Sequence, residues 1–592
     1  MKKVLFLVVV LVLAIGLMTG CSRDDEPTTP PPADTPPVAP ADPVTPPPPP
    51  IADDAGAIEG VGQIVDGVWR YHEPVHVRAL YSYNPARIST EDTNNIWMLE
   101  WARHYMNIDI EVIPHSTETI GDIFNLIMAS GDYVEAFLFF EWGLNGIGNN
   151  TRWGETEGIL RPLQEFLFDE EIMPNLAPIL NNEFAHEVPI LQTAAGNIFQ
   201  IVTIMQHIDY VMNMTGQYFW VDTRVLDALG REMPRTTDDF LDFLREVRDV
   251  DPMGLGSNNM PLGGRHASFA PWGPIMNAMG FVANSPFDKI SLVGGSFIDG
   301  PGELVSLQNH PNFFEFLVYM NTLFEEGLFD PDYFTQDVAA TRAKVSQDFH
   351  AVWPAFNPNE MSDDSWRYYQ AMPPMTSHVN NVPLMNTGAT QLGGGHALFL
   401  TYVADDLQAE AMMRFIDLAY CPDFRWNTFY GPQYGVDQDF GLDLEGWEMV
   451  DGARVLRDVN RGRFESRLDY LNAVGILHNG GNVQDRRTDG SELNNLNLDD
   501  RQGWWWHNQM EALVPYLVRG MPGVTASVED NEFWSTTWST LSGLINTGVA
   551  QFVTGARPLT QAEFEAYYRE LQAAQLTEHV EFGIDNLTRR FR

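Results

Sequence analysis

Cysteine is almost absent: the 592 residues carry two, Cys21 and Cys421. With Cys21 assigned to a processing signal, as argued below, no intramolecular disulfide can form, and a Cys-rich zinc site is excluded. Cys421, in Tyr-Cys-Pro-Asp-Phe after a helical stretch, reads as a small buried hydrophobe. Basic residues are scarce as well, 35 Lys plus Arg against 80 Asp plus Glu, for a formal net charge of −45. So acidic a surface repels phosphate, which argues against nucleic acid and against electrostatic docking on anionic lipid. Its simplest role is solubility; the sharper alternative is capture of a cationic ligand. Also missing are G-x-S-x-G, H-E-x-x-H and a Walker motif. What is present is ample core material, 44% hydrophobic residues, in a length that suits two to four domains. Aromatics make up 12%, including 16 Trp, enough for stacking platforms as well as core.

Residues 1–20 read as a targeting segment. Lys2 and Lys3 give a basic end, and Val4 to Met18 an apolar run too short to span a membrane comfortably. Met18-Thr19-Gly20-Cys21 resembles a bacterial lipobox, with Met18 where Leu is commoner. That resemblance implies cleavage before Cys21 and lipidation of its thiol; the alternative is an ordinary signal peptide. Buried acyl chains, at roughly 0.8 kcal/mol per CH₂, would hold such a protein to a membrane. Residues 21–60 follow as a tether: Pro27 to Pro50 holds 13 prolines and suits polyproline II or disorder.

The body begins near Val65. Val75 to Tyr81 alternates with a β-like period, Asn95 to Tyr105 has helical spacing, and Ile108 to Ile113 reads as a second strand. Strand, helix and strand in this order predict a βαβ unit and a parallel sheet. A helix over Ile120 to Ala129 leads to Ser130-Gly131-Asp132-Tyr133-Val134-Glu135 and a strand from Ala136 to Phe140. Asp132 and Glu135 then stand near a strand edge, where open α/β sheets hold ligands, or serve only as turn and cap residues. Ile198 to Ile204 is strand-like. From Tyr218 to Pro261 the spacing predicts two short amphipathic helices, one capped by Asp222 and stopped at Gly230, the next opened by Thr236 and Asp239 with Phe240, Leu244 and Val247 on one face. Phe313 to Phe329 is an apolar helix interrupted at Gly327, and Asp406 to Tyr420 is another helix.

The order of residues adds a resemblance. Asp-Thr-Arg-x-Leu-Asp-x-Leu-Gly at 222–230, Pro-x-Thr-x-Asp-Asp-Phe at 234–240, the Glu-Gly-Leu-x-Asp-Pro run at 326–331, Tyr430-Gly-Pro-Gln-Tyr434-Gly-Val and Phe552-Val-Thr-Gly555 resemble, in that order, extracellular solute-binding lipoproteins of carbohydrate ABC importers. The resemblance covers most of residues 65–592. It departs at Val134 and Glu135, where the family has Pro and Asp, and at Gln433 or Tyr434, near a usual Glu. It departs again after Asp251, where Met253 and Leu255 take two positions of a calcium-type loop and cannot ligate the ion. No calcium is therefore expected there, and no motif names a metal-ligating set or a cofactor elsewhere.

The resemblance implies an α/β, two-lobed, periplasmic-binding-protein-like type II fold with a hinge and an interlobe cleft. The first lobe would be 61–200 with a return over about 375–425, and the second 201–374 with about 426–592. It implies a monomeric, lipid-anchored receptor on the outer face of a bacterial cell membrane, which closes on a carbohydrate and presents it to an ABC permease. A sugar cleft needs aromatic faces and paired polar groups. Asp132, Glu135, Trp142, Trp272, Trp353 and Tyr434 are the candidate ligand residues. Trp142 and Trp353 face the choice between platform and core, whereas Trp272, in Phe-Ala-Pro-Trp-Gly, reads as a loop residue without a core face. Leu392-Gly-Gly-Gly-His396 is not a phosphate loop, since a strand follows and no Lys-Ser/Thr does; it suits close packing at a hinge. The rival readings are a secreted carbohydrate-active hydrolase with two carboxylates, and a peptide receptor on the same fold.

Overall fold

A computed structural model describes residues 60–83, 96–116, 119–138, 144, 147–204, 218–264, 270–298, 300–355, 361–362, 365–387, 392–394, 398–421, 424, 427–428, 431–436, 446–450, 453–456 and 513–591. Cys21, the tether, Trp142, His396 and Trp504 to Trp506 lie outside them. The body from Gly60 onward clusters as one unit, organised by two four-stranded sheets.

Strands β1 (Val75–Tyr83), β2 (Ile108–Ser116) and β3 (Ala136–Leu138) run parallel with β1 in the middle. The chain pairs briefly at β4 (Val202–Ile204) before reaching the second sheet. That sheet is built from β5 (Tyr218–Asp222), β6 (Met260–Leu262), β7 (His350–Ala355) and β8 (Tyr369–Ala371), in the order β8-β5-β7-β6. The chain then returns through β9 (Met385–Thr387) and β10 (Leu392–Gly394) to β11 (Leu398–Leu400), which closes the first sheet antiparallel to β3. Strand β12 (Leu517–Arg519) pairs parallel with β9.

Both sheets are covered on both faces, and the two-residue period shows it. On β5, Phe219 and Val221 enter the large second core, while Tyr218 and Trp220 enter an aromatic cluster behind the sheet. On β1, Val75, Val77, Ala79 and Tyr81 enter the first core, and Leu80 a smaller one. At roughly 1.5–3 kcal/mol for each large apolar side chain removed from water, these layers supply the main stabilisation.

The helices follow their local signals. Helix α1 (Ile120–Ser130) ends at Gly131, and a single turn, α2 (Val188–Leu191), packs Leu191 into the first core. Asp222 accepts from Arg224 N at 2.9 Å and caps α3 (Thr223–Leu229), which stops at Gly230 with φ +64°. Thr236 accepts from Asp239 N at 3.1 Å and caps α4 (Thr237–Val250), whose Phe240, Leu244 and Val247 are buried as the spacing predicts. Helix α6 (Pro311–Glu325) ends just before Gly327, and α7 (Asp406–Asp417) carries a full capping box from Asp405 and Gln408. The helix expected over Asn95 to Tyr105 is a short α-helix, Trp97–Trp101, that widens into a π-helical turn, Ala102–Met106.

The largest difference from expectation concerns Trp272. It opens a helix, α5 (Trp272–Ala278), instead of sitting in a loop. Its indole is ringed by Phe287, Phe316, Phe329, Tyr333 and Phe334 at centroid separations of 5.4 to 6.4 Å. Pro271 allows the helix to start, because a helix's first residues need no internal N–H acceptor. Three C-terminal helices, α8 (Val528–Val553), α9 (Gln561–Ala573) and α10 (Leu576–Phe591), complete the second core with Leu541, Ile545, Phe552, Tyr567 and Val580.

Candidate functional site: the sheet edges and the crossing strands

Parallel strands send all their carboxyl ends to one edge, and crevice ligands of open α/β sheets bind beside that edge. In the first sheet the edge is formed by the ends of β1, β2 and β3, at Tyr83, Ser116 and Leu138. In the second sheet β6 and β7 run parallel and end at Leu262 and Ala355. Between the sheets lie the crossings. Antiparallel β4–β10 contains one strand going out and one coming back, and β9–β12 adds a parallel pair.

One buried carboxylate ties these crossings together. Glu187 occupies the N-cap position of α2 without a side-chain cap hydrogen bond, and is 1% exposed. It accepts Leu392 N of β10 at 3.1 Å and Arg519 Nη2 of β12 at 2.5 Å. A carboxylate so enclosed is tolerated because it is paired and hydrogen-bonded.

The second sheet has its own buried cluster. Asp330, 1% exposed, accepts both Lys344 Nζ contacts at 2.9 and 3.0 Å, Asp332 N at 3.0 Å and Gln336 Nε2 at 3.2 Å, with His350 Nε2 at 3.7 Å. Burial pushes its pKa up, but the His350 and Lys344 partners outweigh this and bring it down to about 2. The cluster fixes the end of β6: Asp330 N donates to Leu262 O at 3.0 Å, and Gln336 Nε2 donates to Gly264 O at 2.9 Å.

Among the described residues, the sequence-derived candidates are not brought together. Asp132 is exposed, and Glu135 is 7% exposed. Both precede β3, so they stand at the amino end of that strand and not at the carboxyl edge that motivated them. Glu135 accepts Arg78 N at 3.0 Å, Nε at 3.1 Å and Nη2 at 2.8 Å. Burial alone would raise its pKa; the Arg78 hydrogen bonds prevail and hold it below the ordinary value. Trp272 is 3% and Trp353 1% exposed, on opposite sides of the second sheet, one in the large core and one in the aromatic cluster. Neither presents a ring face to solvent in this arrangement. Tyr434 is 46% exposed, with its backbone N–H on Trp447 O at 2.7 Å. At Asp251, which opens the calcium-type loop of the resemblance, the two carboxylate oxygens accept Leu255 N at 2.9 Å and Gly256 N at 2.7 Å. Among the described residues no group of three or more His, Cys, Asp or Glu is placed to hold a metal ion.

Sequence reading missed Arg78, Glu187, Arg519 and the Asp330 cluster. Asp330 carries a weak signal in hindsight, being a charged residue just after a strongly apolar helix; Lys344, within a later and polar helix, carries none. Glu187 and Arg519 are 332 residues apart and carry none.

Comparison with known proteins adds to this geometry. Over 357 residues the chain is 24% identical to FusA, a fructooligosaccharide ABC transporter substrate-binding protein of Streptococcus pneumoniae, covering 58% of this chain and 61% of that one. It is 23% identical over 240 residues to the lipoprotein LipO of Bacillus subtilis, covering 40% and 41%. The chain thus spans about three-fifths or less of the length of these curated relatives. No family model matches. Among solved structures, S. pneumoniae FusA in complex with kestose superposes with a TM-score of 0.67 at 18% identity, covering 87% of this chain and 99% of that chain. A human-milk-oligosaccharide-binding solute-binding protein from Bifidobacterium longum infantis gives 0.65 at 17% identity, covering 87% and 98%. The fold is that of a two-lobed α/β solute-binding protein. Along the chain, β4, β9 and β10 lie between strands of the first sheet and strands of the second. Among the described residues no helix is long and apolar enough to cross a membrane.

Proposed function

We propose that this protein is an extracytoplasmic receptor, anchored through lipid on Cys21, that captures an oligosaccharide between its lobes and delivers it to an ABC permease. The observation that carries the reading is the likeness over nearly the whole length of FusA in complex with kestose. It is supported by crossing strands that allow hinge closure. The protein acts as a monomer and binds without catalysis; its curated relatives named above are binding proteins or lipoproteins. The ligand class follows the same relatives: a fructooligosaccharide or another short glycan, held by groups at the carboxyl edges of β1 to β3 and of β6 and β7. Tyr434, solvent-exposed where the described candidates Trp272 and Trp353 are buried, is the stacking residue to test first.

The test is a thermal-shift screen with fructooligosaccharides, other oligosaccharides and short peptides, each well also assayed for new reducing ends. A ligand at 100 times its Kd stabilises by about 2.7 kcal/mol. A glycan-specific shift without cleavage supports the receptor. New reducing ends would move the function to hydrolysis, and a shift with peptides alone would keep the fold and change the ligand. Loss of membrane retention in Cys21→Ser tests the anchor.

A further inference from the structure

The contact at Glu187 is one of two grips on the same helical turn. Arg590, near the end of α10, donates Nη2 to the carbonyls of Pro189 at 2.6 Å and Gln192 at 3.4 Å. Its Nη1 donates to Gly523 O at 3.4 Å and to Thr525 Oγ1. Pro189 lies within α2 and Gln192 is its C-cap, while Glu187, held by Arg519, is its N-cap. The turn is therefore gripped at both ends by arginines from the last part of the chain.

The two sides of this contact belong to different cores. Leu191 of α2 is buried in the first core. Helix α10 carries Leu576 and Val580 into the second core, and Leu587 into a small cluster with Val282, Leu292, Phe297 and Leu384. Arg519 sits on β12, in the strand pair next to the crossings. Among the described residues the Arg590 acceptors are backbone carbonyls and one hydroxyl, with no carboxylate. Partial burial lowers its pKa, but a guanidinium keeps its charge. Moving α2 away from α10 would strip two carbonyls from a half-buried cation, at a larger cost than losing an exposed ion pair.

We infer that Arg519 and Arg590 are positioning residues, which hold α2 of the first lobe against the second lobe and set the angle about which the lobes close, without touching the ligand. For its effect on affinity this rests on the receptor reading above; for lobe geometry it does not. A receptor whose lobes sample more orientations is binding-competent for a smaller fraction of the time, and its apparent Kd rises in proportion.

The experiment uses the full chain with Cys21→Ser and Cys421→Ser, spin-labelled at Leu126→Cys on α1 and Val250→Cys on α4, both exposed. Pulsed electron–electron distance distributions between the labels are compared for this parent, Arg590→Ala, Arg519→Ala and Arg590→Lys. Both alanine variants are expected to broaden the distribution at least about twofold, and Lys to restore part of it. With kestose as the probe, the same variants should raise Kd about tenfold. An unchanged distribution in both alanine variants overturns the inference, as does a lowered Tm with an unchanged distribution, which would mark a role in stability alone. If an alanine variant fails to fold, Arg590→Gln, which removes the charged fork, decides: a parental distribution at parental affinity overturns the inference. Failure of the parent to bind kestose would count against the proposed ligand class and leave the distance comparison standing.

Discussion

The two sheets each bury a carboxylate against a cation, and they do so at different depths. In the first sheet Glu135 is nearly covered, but the Arg78 side chain is 50% exposed. In the second sheet Asp330 is fully covered and the Lys344 side chain is only 15% exposed. Water screens the first pair and leaves the second to protein donors. Pairs of the first kind contribute about 0–1 kcal/mol, whereas removing one partner of the second kind costs about 3–5 kcal/mol, because a buried charge is left without compensation. The deeper pair lies beside the carboxyl end of β6, and the shallower one at the amino end of β3.

The comparison can be broken by mutation. Lys344→Met should destabilise by about 3–5 kcal/mol in urea unfolding, with hydrogen exchange rising first around β6 and β7. Trp272→Ala should cost a similar 3–5 kcal/mol, as loss of a large buried aromatic does; a small stability loss with a large affinity loss would return Trp272 to the ligand site. Acid titration should give a smaller effect. The folded pKa of Asp330 is lowered to about 2 from an unfolded 3.8. Its contribution, about 2 kcal/mol, is therefore complete above pH 3.8 and is lost as the pH falls toward 2. Asp330→Asn should flatten the stability profile in that window. Arg78→Met should cost about 1 kcal/mol, and less at high salt. Tyr434→Ala should change stability by less than about 0.5 kcal/mol while weakening any glycan that stacks on it; unchanged affinity removes Tyr434 from the site.

What could be read in the sequence was what depends on near neighbours. The alternation in Val75–Tyr81, the cap at Asp222 and the stop at Gly230 are local, and the structure has them. The lobed class came from the order of motifs and agrees with the solved folds. The site was poorly legible because its partners are remote. Glu135 is a turn residue by sequence, and its engagement depends on Arg78, 57 residues earlier. Trp272 misled for a related reason: Pro271 and Gly273 advertise a loop, while the aromatic ring that encloses it comes from segments up to Phe334. Leu392-Gly-Gly carries a local signal for close backbone packing, whereas the strand it pairs with, Val202–Ile204, is remote in sequence.

The crossing strands have a consequence for how the chain is made. Edge strand β11 pairs with β3, yet the entire second sheet is synthesised between them. The second core in turn waits for Leu541, Phe552 and Val580 near the end of the chain. Neither lobe can close on the first half of the polypeptide alone, so cooperative folding is deferred until nearly all of it is available. A protein arranged in this way stays unfolded until late in its synthesis, and a truncation that removes α8 to α10 leaves both the second core and the Arg590 contact to α2 unfinished.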